Sequence, residues 1–89
     1  MVNTSNKPEM ARLARYRKTL EKVVRVLEYG ETKHGDDQNW RNYPASKDFD
    51  AAFRHLLKIE DEVHDEETGQ HHAVHAIARL LFAVEKDNL

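Results

Sequence analysis

Over residues 9–31 the apolar side chains Leu13, Tyr16, Leu20, Val23, Val24 and Leu27 recur at intervals of three and four. That spacing makes the stripe of an amphipathic helix, whereas a strand facing solvent on one side would alternate. The opposite face is basic, through Arg12, Arg15, Arg17, Lys18, Lys22 and Arg25. The helical period returns twice. After Ser46, a good N-cap residue, Phe49, Phe53, Leu56 and Leu57 share one face up to about residue 62 or 63. From about residues 68–71 to about 86, His72, His75, Ala76, Leu80 and Val84 fall on one strip. Between the first two segments, residues 30–44 collect Gly30, Gly35, Asp36, Asp37, Asn39, Asn42 and Pro44, which predicts a loop. Asp65-Glu66-Glu67-Thr68-Gly69 separates the second segment from the third. The expected fold is all-α, a small bundle of about three helices.

A chain of 89 residues has room for one domain. At that size folding buries roughly 60–65% of the unfolded surface, a thin core that helical proteins commonly complete by oligomerising. Residues 1–7 are polar and unpatterned, and Pro8 suits the first turn of a helix. A disordered tail over 1–7 and a single helical domain over 8–89 are therefore expected. The formal charge of −2 offers no general field for nucleic acid or an anionic membrane, so neither is an expected partner. The chain has no cysteine, which excludes a disulfide framework and thiolate chemistry. No apolar run approaches the roughly 20 residues of a membrane span, and the first residues lack the apolar core of a signal peptide, so a cytoplasmic location is expected.

Acids and imidazoles crowd the second half, with His55, Glu60, Asp61, Glu62, His64, Asp65, Glu66, Glu67, His71, His72 and His75 close in sequence. On the third helix His72 and His75 are i,i+3 neighbours and His71 and His75 are i,i+4 neighbours, so either pair presents two nitrogens to one metal ion or phosphate. Carboxylates on the same stretch suit Mg²⁺ or Mn²⁺, which take oxygen ligands and leave room for phosphates. Surface histidines paired with nearby carboxylates, and an acidic run that is simply a solvated face, are the plainer readings. In the loop, Lys33, His34, Asn39, Trp40 and Arg41 make a polar and aromatic wall suited to a nucleotide. A lone Trp is more often a packing anchor than a stacking platform.

Val26-Leu27-Glu28-Tyr29-Gly30-Glu31-Thr32-Lys33-His34-Gly35 followed by Asn39-Trp40-Arg41 resembles the glycine-lysine-glycine and Asn-Trp signature of a mostly phage-borne family, the N-terminal domain of dATP/dGTP diphosphohydrolase. Arg54-His55-Leu56-Leu57, Asp65-Glu66-Glu67-Thr68-Gly69 and His72-Ala73-Val74-His75 resemble its later motifs, in the same order. Arg79 stands where that family often has Asn. The chain lacks the E-E-x-x-E pattern of MazG proper, its nearest approach being Glu60-Asp61-Glu62 followed by Asp65.

The resemblance implies a helical, self-associating relative of MazG-like pyrophosphohydrolases, in the host cytoplasm if phage-encoded. Such enzymes use Mg²⁺ or Mn²⁺ to split a nucleoside triphosphate, here a (deoxy)purine nucleotide, into its monophosphate and pyrophosphate. The residues it marks are Asp65, Glu67, His72 and His75 as metal ligands, and His55 and Glu67 as catalytic groups. Lys33 and Arg54 would meet the phosphates, and Asn39 and Trp40 would meet the base. Two other functions fit the same residues: a phage protein that binds or sequesters a nucleotide without turnover, and a protein-interaction module using the basic first helix.

Overall fold

The computed structural model describes residues 7–36 and 38–87. Among these residues the architecture is α1 Arg17–His34, α2 Ala45–Lys58 and α3 His72–Asp87, with 3₁₀ segments Met10–Tyr16 before α1 and Asn39–Asn42 between α1 and α2. The only strand-like pairing among them is an isolated antiparallel bridge between His64 and His71. The protein is thus an all-α three-helix bundle. Residues 1–6 of the expected tail lie outside the described residues.

The boundaries differ from the periodicity in instructive ways. The first turns of the predicted first helix are 3₁₀, and no residue of Met10–Tyr16 is buried. Without a packing partner, nothing there selects the α-helical hydrogen bonds over the tighter ones. Gly30 does not end α1. A glycine inside a helix costs about 1 kcal/mol relative to Ala, which the strong formers around it outweigh. The stop comes at Gly35, whose φ of 69° is the left-handed cap conformation and whose N–H reaches the Glu31 carbonyl at 2.7 Å. Pro44 rather than Ser46 occupies the cap of α2, with no side-chain capping bond. That helix ends at Lys58 because the N–H groups of Asp61 and Glu62 both turn back to the Lys58 carbonyl, at 3.0 and 2.9 Å.

Helices α2 and α3 pack antiparallel. The spacing that puts Asp48, Ala51, Ala52 and His55 on one face of α2 meets a matching face of α3 formed by His72, Ala76, Arg79, Ala83 and Lys86. Alanines fill the middle: Ala51, Ala52, Ala76 and Ala83 are all buried, and their small side chains let the helices approach closely. Polar groups close the two ends. At one end Asp48, 0% exposed, lies 3.1 Å from Arg79 Nε and accepts a hydrogen bond from Lys86 Nζ. Lys86 Nζ also donates to the Tyr43 carbonyl at 2.8 Å. The Arg79 N–H is not aimed at the carboxylate, so that contact is ionic rather than a hydrogen bond. At the other end His55 meets His72. Helix α1 joins through a smaller apolar cluster in which Val26 and Leu27 pack against Val23, Val74 and Ala78. Many large apolar side chains stay outside, among them Phe53 (65% exposed) and Leu57 (70%) on α2. Among the described residues no helix is long and apolar enough to cross a membrane.

Candidate functional site

The segment between α2 and α3 folds into a closed loop because its sequence supplies the turn chemistry. The His72 N–H reaches the Val63 carbonyl and the Asp65 N–H reaches the Gln70 carbonyl, both at 2.8 Å. Inside that clasp Asp65 Oδ1 accepts the backbone N–H of Glu67 at 2.9 Å and of Thr68 at 3.0 Å, the side-chain turn that Asp forms readily. Gly69 completes it with a φ of 75°, donating its N–H to the Asp65 carbonyl at 2.8 Å. This loop carries Asp65 to the end of the α2–α3 pair where the imidazoles gather.

Three imidazoles from two helices meet there. His55 Nδ1 lies 2.9 Å from His72 Nδ1, and the His55 ring stacks on His75 with centroids 4.6 Å apart. His55, Asp65 and His72 each offer a ligand atom within 4.8 Å of the others. His72 is 1% exposed, and its Nε2 has no hydrogen-bond partner; Glu62 Oε1 lies 3.8 Å away. His75 Nε2 contacts the Thr68 hydroxyl at 2.6 Å and lies 3.8 Å from Asp65 Oδ1. Burial lowers the His55 pKa to about 4, helped by its neighbours His75 and His72. Burial also lowers that of His75, against the pull of Asp65. Both rings are therefore neutral near pH 7. Burial alone would raise the Asp65 pKa, but the Thr68 N–H, the neighbouring imidazoles and the Glu67 N–H hold it below the ordinary carboxylate value.

A cavity of about 380 Å³ opens beside this cluster, within the roughly 300–1,000 Å³ range of small-molecule sites. His55, Asp65 and His75 reach its wall, and Asn39 and Trp40 come from the 3₁₀ turn before α2. Helix α1 contributes Tyr29 and Lys33, and α3 contributes Arg79 and Phe82. Trp40 stacks nearly parallel on Phe82, centroids 5.4 Å apart, with the Arg41 guanidinium 4.8 Å from its ring centre. It therefore anchors the loop to α3. Glu67 accepts hydrogen bonds from Lys33 Nζ at 2.8 Å and from the Tyr29 hydroxyl, which hold its carboxyl below the usual range. The same contact raises the pKa of Lys33 and of Tyr29.

Of the residues marked from sequence, Lys33, Asn39, Trp40, His55, Asp65, Glu67 and His75 line this one cavity. His72 sits behind His55, in contact with it. Arg54 does not line the cavity; it pairs with Asp50 one turn back and lines a separate surface groove. Among the four residues marked as metal ligands, Asp65 and His72 converge, with His55 as the third member. Glu67 is taken up by Lys33 and Tyr29, and His75 by Thr68. Glu62 and Thr68 stood in the sequence only as members of an acidic run and a turn motif, and Phe82 and the Asp48–Lys86 pair were not singled out. Asp48 had a readable signal, because a carboxylate at i−3 and i−4 from Ala51 and Ala52 lies on the buried face.

No solved structure matches the chain. A curated protein of Salmonella phage PMBT28, named dATP/dGTP diphosphohydrolase, is 46% identical over 63 residues, which are 70% of this chain and 21% of that protein. The chain thus spans about a fifth of the length of the relative it matches. The family described as dATP/dGTP diphosphohydrolase, N-terminal, matches residues 2–88, essentially the whole three-helix unit and every residue lining the cavity. The chain belongs to that family.

Proposed function

We propose that the protein binds a purine nucleoside triphosphate in the cavity beside the imidazole cluster and hydrolyses it to the monophosphate and pyrophosphate. The observation that carries this reading is the composition of one cavity wall. Cationic Lys33 and Arg79, the Asn39 amide, the Trp40–Phe82 stack and the His55–Asp65–His75 group all border the same space. Family membership and the name of the phage relative support the reaction class.

In this reading Lys33 exchanges Glu67 for phosphate oxygens, an exchange open to it because both side chains are half exposed. A water attacks the α-phosphorus; the new P–O bond forms as the bond to the pyrophosphate oxygen breaks. Neutral His75 on the cavity wall is an acceptor for the proton released. A divalent ion, when bound, would neutralise triphosphate charge. Asp65, His55 and His72 are the side chains that would hold it. Exposed Phe53 and Leu57, on the side of α2 away from α3, supply an apolar face through which two copies would associate.

The test is a chromatographic time course of the pure protein with each ribo- and deoxyribonucleoside triphosphate, with Mg²⁺ or Mn²⁺ and with chelator. Metal-dependent release of a purine monophosphate and pyrophosphate is the expected result; nucleotides returned unchanged by a folded protein refute turnover. A second reading, nucleotide binding without hydrolysis, is favoured by the engagement of Glu67 with Lys33 and Tyr29 and by the much greater length of the relative. Saturable quenching of Trp40 fluorescence without product would select it.

A further inference from the structure

We propose that His55, Asp65 and His72 form a site for one first-row transition ion of the Zn²⁺, Co²⁺ or Mn²⁺ type, that Glu62 is the carboxylate orienting His72, and that the site discriminates against Mg²⁺. The inference deepens the metal requirement of the preceding reading, and rests on that reading only for the use to which the ion is put.

The donor set is the first ground. Two imidazole nitrogens and one carboxylate oxygen converge within 4.8 Å. Imidazole suits Zn²⁺ and the first-row ions near it, whereas Mg²⁺ demands oxygen ligands and keeps its waters. Geometry is the second. With metal–nitrogen bonds of about 2.0–2.1 Å, two nitrogens at right angles on one ion stand about 2.9 Å apart, and at a tetrahedral angle about 3.4 Å. His55 Nδ1 and His72 Nδ1 are 2.9 Å apart, at the right-angle end of that range. Asp65, held in place through Oδ1 by two backbone N–H groups, offers the third ligand atom within 4.8 Å of the two nitrogens.

The third ground is the buried edge of His72. Its Nδ1 faces His55, while Nε2 is buried without a hydrogen-bond partner and lies 3.8 Å from Glu62 Oε1. A metal-bound histidine commonly directs its second ring N–H toward a carboxylate, which fixes the tautomer and the ring plane. Coordination through Nδ1 would place the proton on Nε2 and draw Glu62 in, giving an orphaned polar atom its partner. The remaining position of the ion would open toward the cavity, because His55 and Asp65 both reach its wall.

The test uses the full chain, stripped with chelator and titrated with Co²⁺ while its visible d–d absorption is followed. The expected result is one Co²⁺ per chain, displaced by an equivalent of Zn²⁺ and not by about a thousandfold excess of Mg²⁺. Replacing His72, which is 1% exposed, would disturb the core, so the variants are His55→Gln and Asp65→Asn, with circular dichroism to verify the fold. Each should weaken Co²⁺ binding at least about tenfold, the low end of what losing even an outer-sphere partner costs. Glu62→Gln should weaken it less, and His64→Ala, at the exposed ring pair with His71, should leave it unchanged. Absence of Co²⁺ bands in the folded protein, displacement by Mg²⁺, or wild-type binding by folded His55→Gln and Asp65→Asn would each overturn the site. Nucleotide binding is read separately through Trp40 fluorescence in chelator, so loss of one reading leaves the other standing.

Discussion

Removing the Asp48 carboxylate should be the most destabilising single change at the α2–α3 interface. Asp48 is 0% exposed and meets two cations, Arg79 Nε at 3.1 Å and Lys86 Nζ; the side chains of those partners are 30% and 10% exposed. Asp48→Ala leaves both without a counter-ion. Breaking a buried pair from one side costs about 3–5 kcal/mol, and the access Arg79 has to water puts the expectation near ~3 kcal/mol. A domain of this size is stable by roughly 4–13 kcal/mol, so the change consumes a large share of it. At about 4–8 °C per kcal/mol, the melting temperature should fall by about 12–24 °C. Lys86→Met removes one cation and leaves Asp48 with Arg79, so it should cost less. The double variant should recover at least about 1 kcal/mol relative to the sum of the singles, since the two side chains touch. Urea and thermal melts of the four proteins measure this cycle. A fall of under about 4 °C for Asp48→Ala, or strict additivity, would show that the pair is solvated and that the alanine packing alone holds the helices.

The imidazoles give a pH dependence of definite sign. His55 titrates at about 4 in the folded protein and near 6.5 unfolded, so the unfolded chain binds more protons between those values and stability falls as pH drops through that window. The full shift is worth ~3 kcal/mol, which the partial exposure of the ring reduces to on the order of 1 kcal/mol; urea midpoints that are flat or rise from pH 7 to pH 5 would contradict it. Gly69→Ala forces an alanine to a φ of 75° and should cost about 1–2 kcal/mol, whereas Gly69→Asn should cost less; equal melting temperatures for the two would refute the strained-turn account. Lys33→Met breaks an exposed contact and should leave the melting temperature nearly unchanged, yet weaken nucleotide binding roughly tenfold if the amine meets phosphate. Unaltered binding by that variant would remove Lys33 from the site.

The three helices were legible because their signal is local. Period and turn residues lie within a few positions of one another, and the α3 start near residues 68–71 needed only the Thr68-Gly69 break. The extent of the helices was less legible: Gly30 reads as a breaker, yet α1 runs through it to His34 because the helix formers around it outweigh its cost. Residue types for a phosphate and metal site were also written in the sequence, since the crowding of imidazoles and acids is a one-dimensional fact.

Which of those side chains meet was decided by the antiparallel docking of α2 on α3 and by the clasp that closes the loop between them. Docking brings His55 to His72 across 17 positions, and the fold places Glu67 beside Tyr29 and Lys33, 38 and 34 positions away. Spacing along one helix paired His72 with His75, because i,i+3 neighbours are all that a single helix can show. The cluster that forms instead draws one side chain from each of two helices and a third from a turn. The sequence by itself determined a helical bundle and the inventory of its chemistry; the tertiary structure decided the partners, because contacts between elements depend on helix crossing and loop closure, which no local pattern encodes.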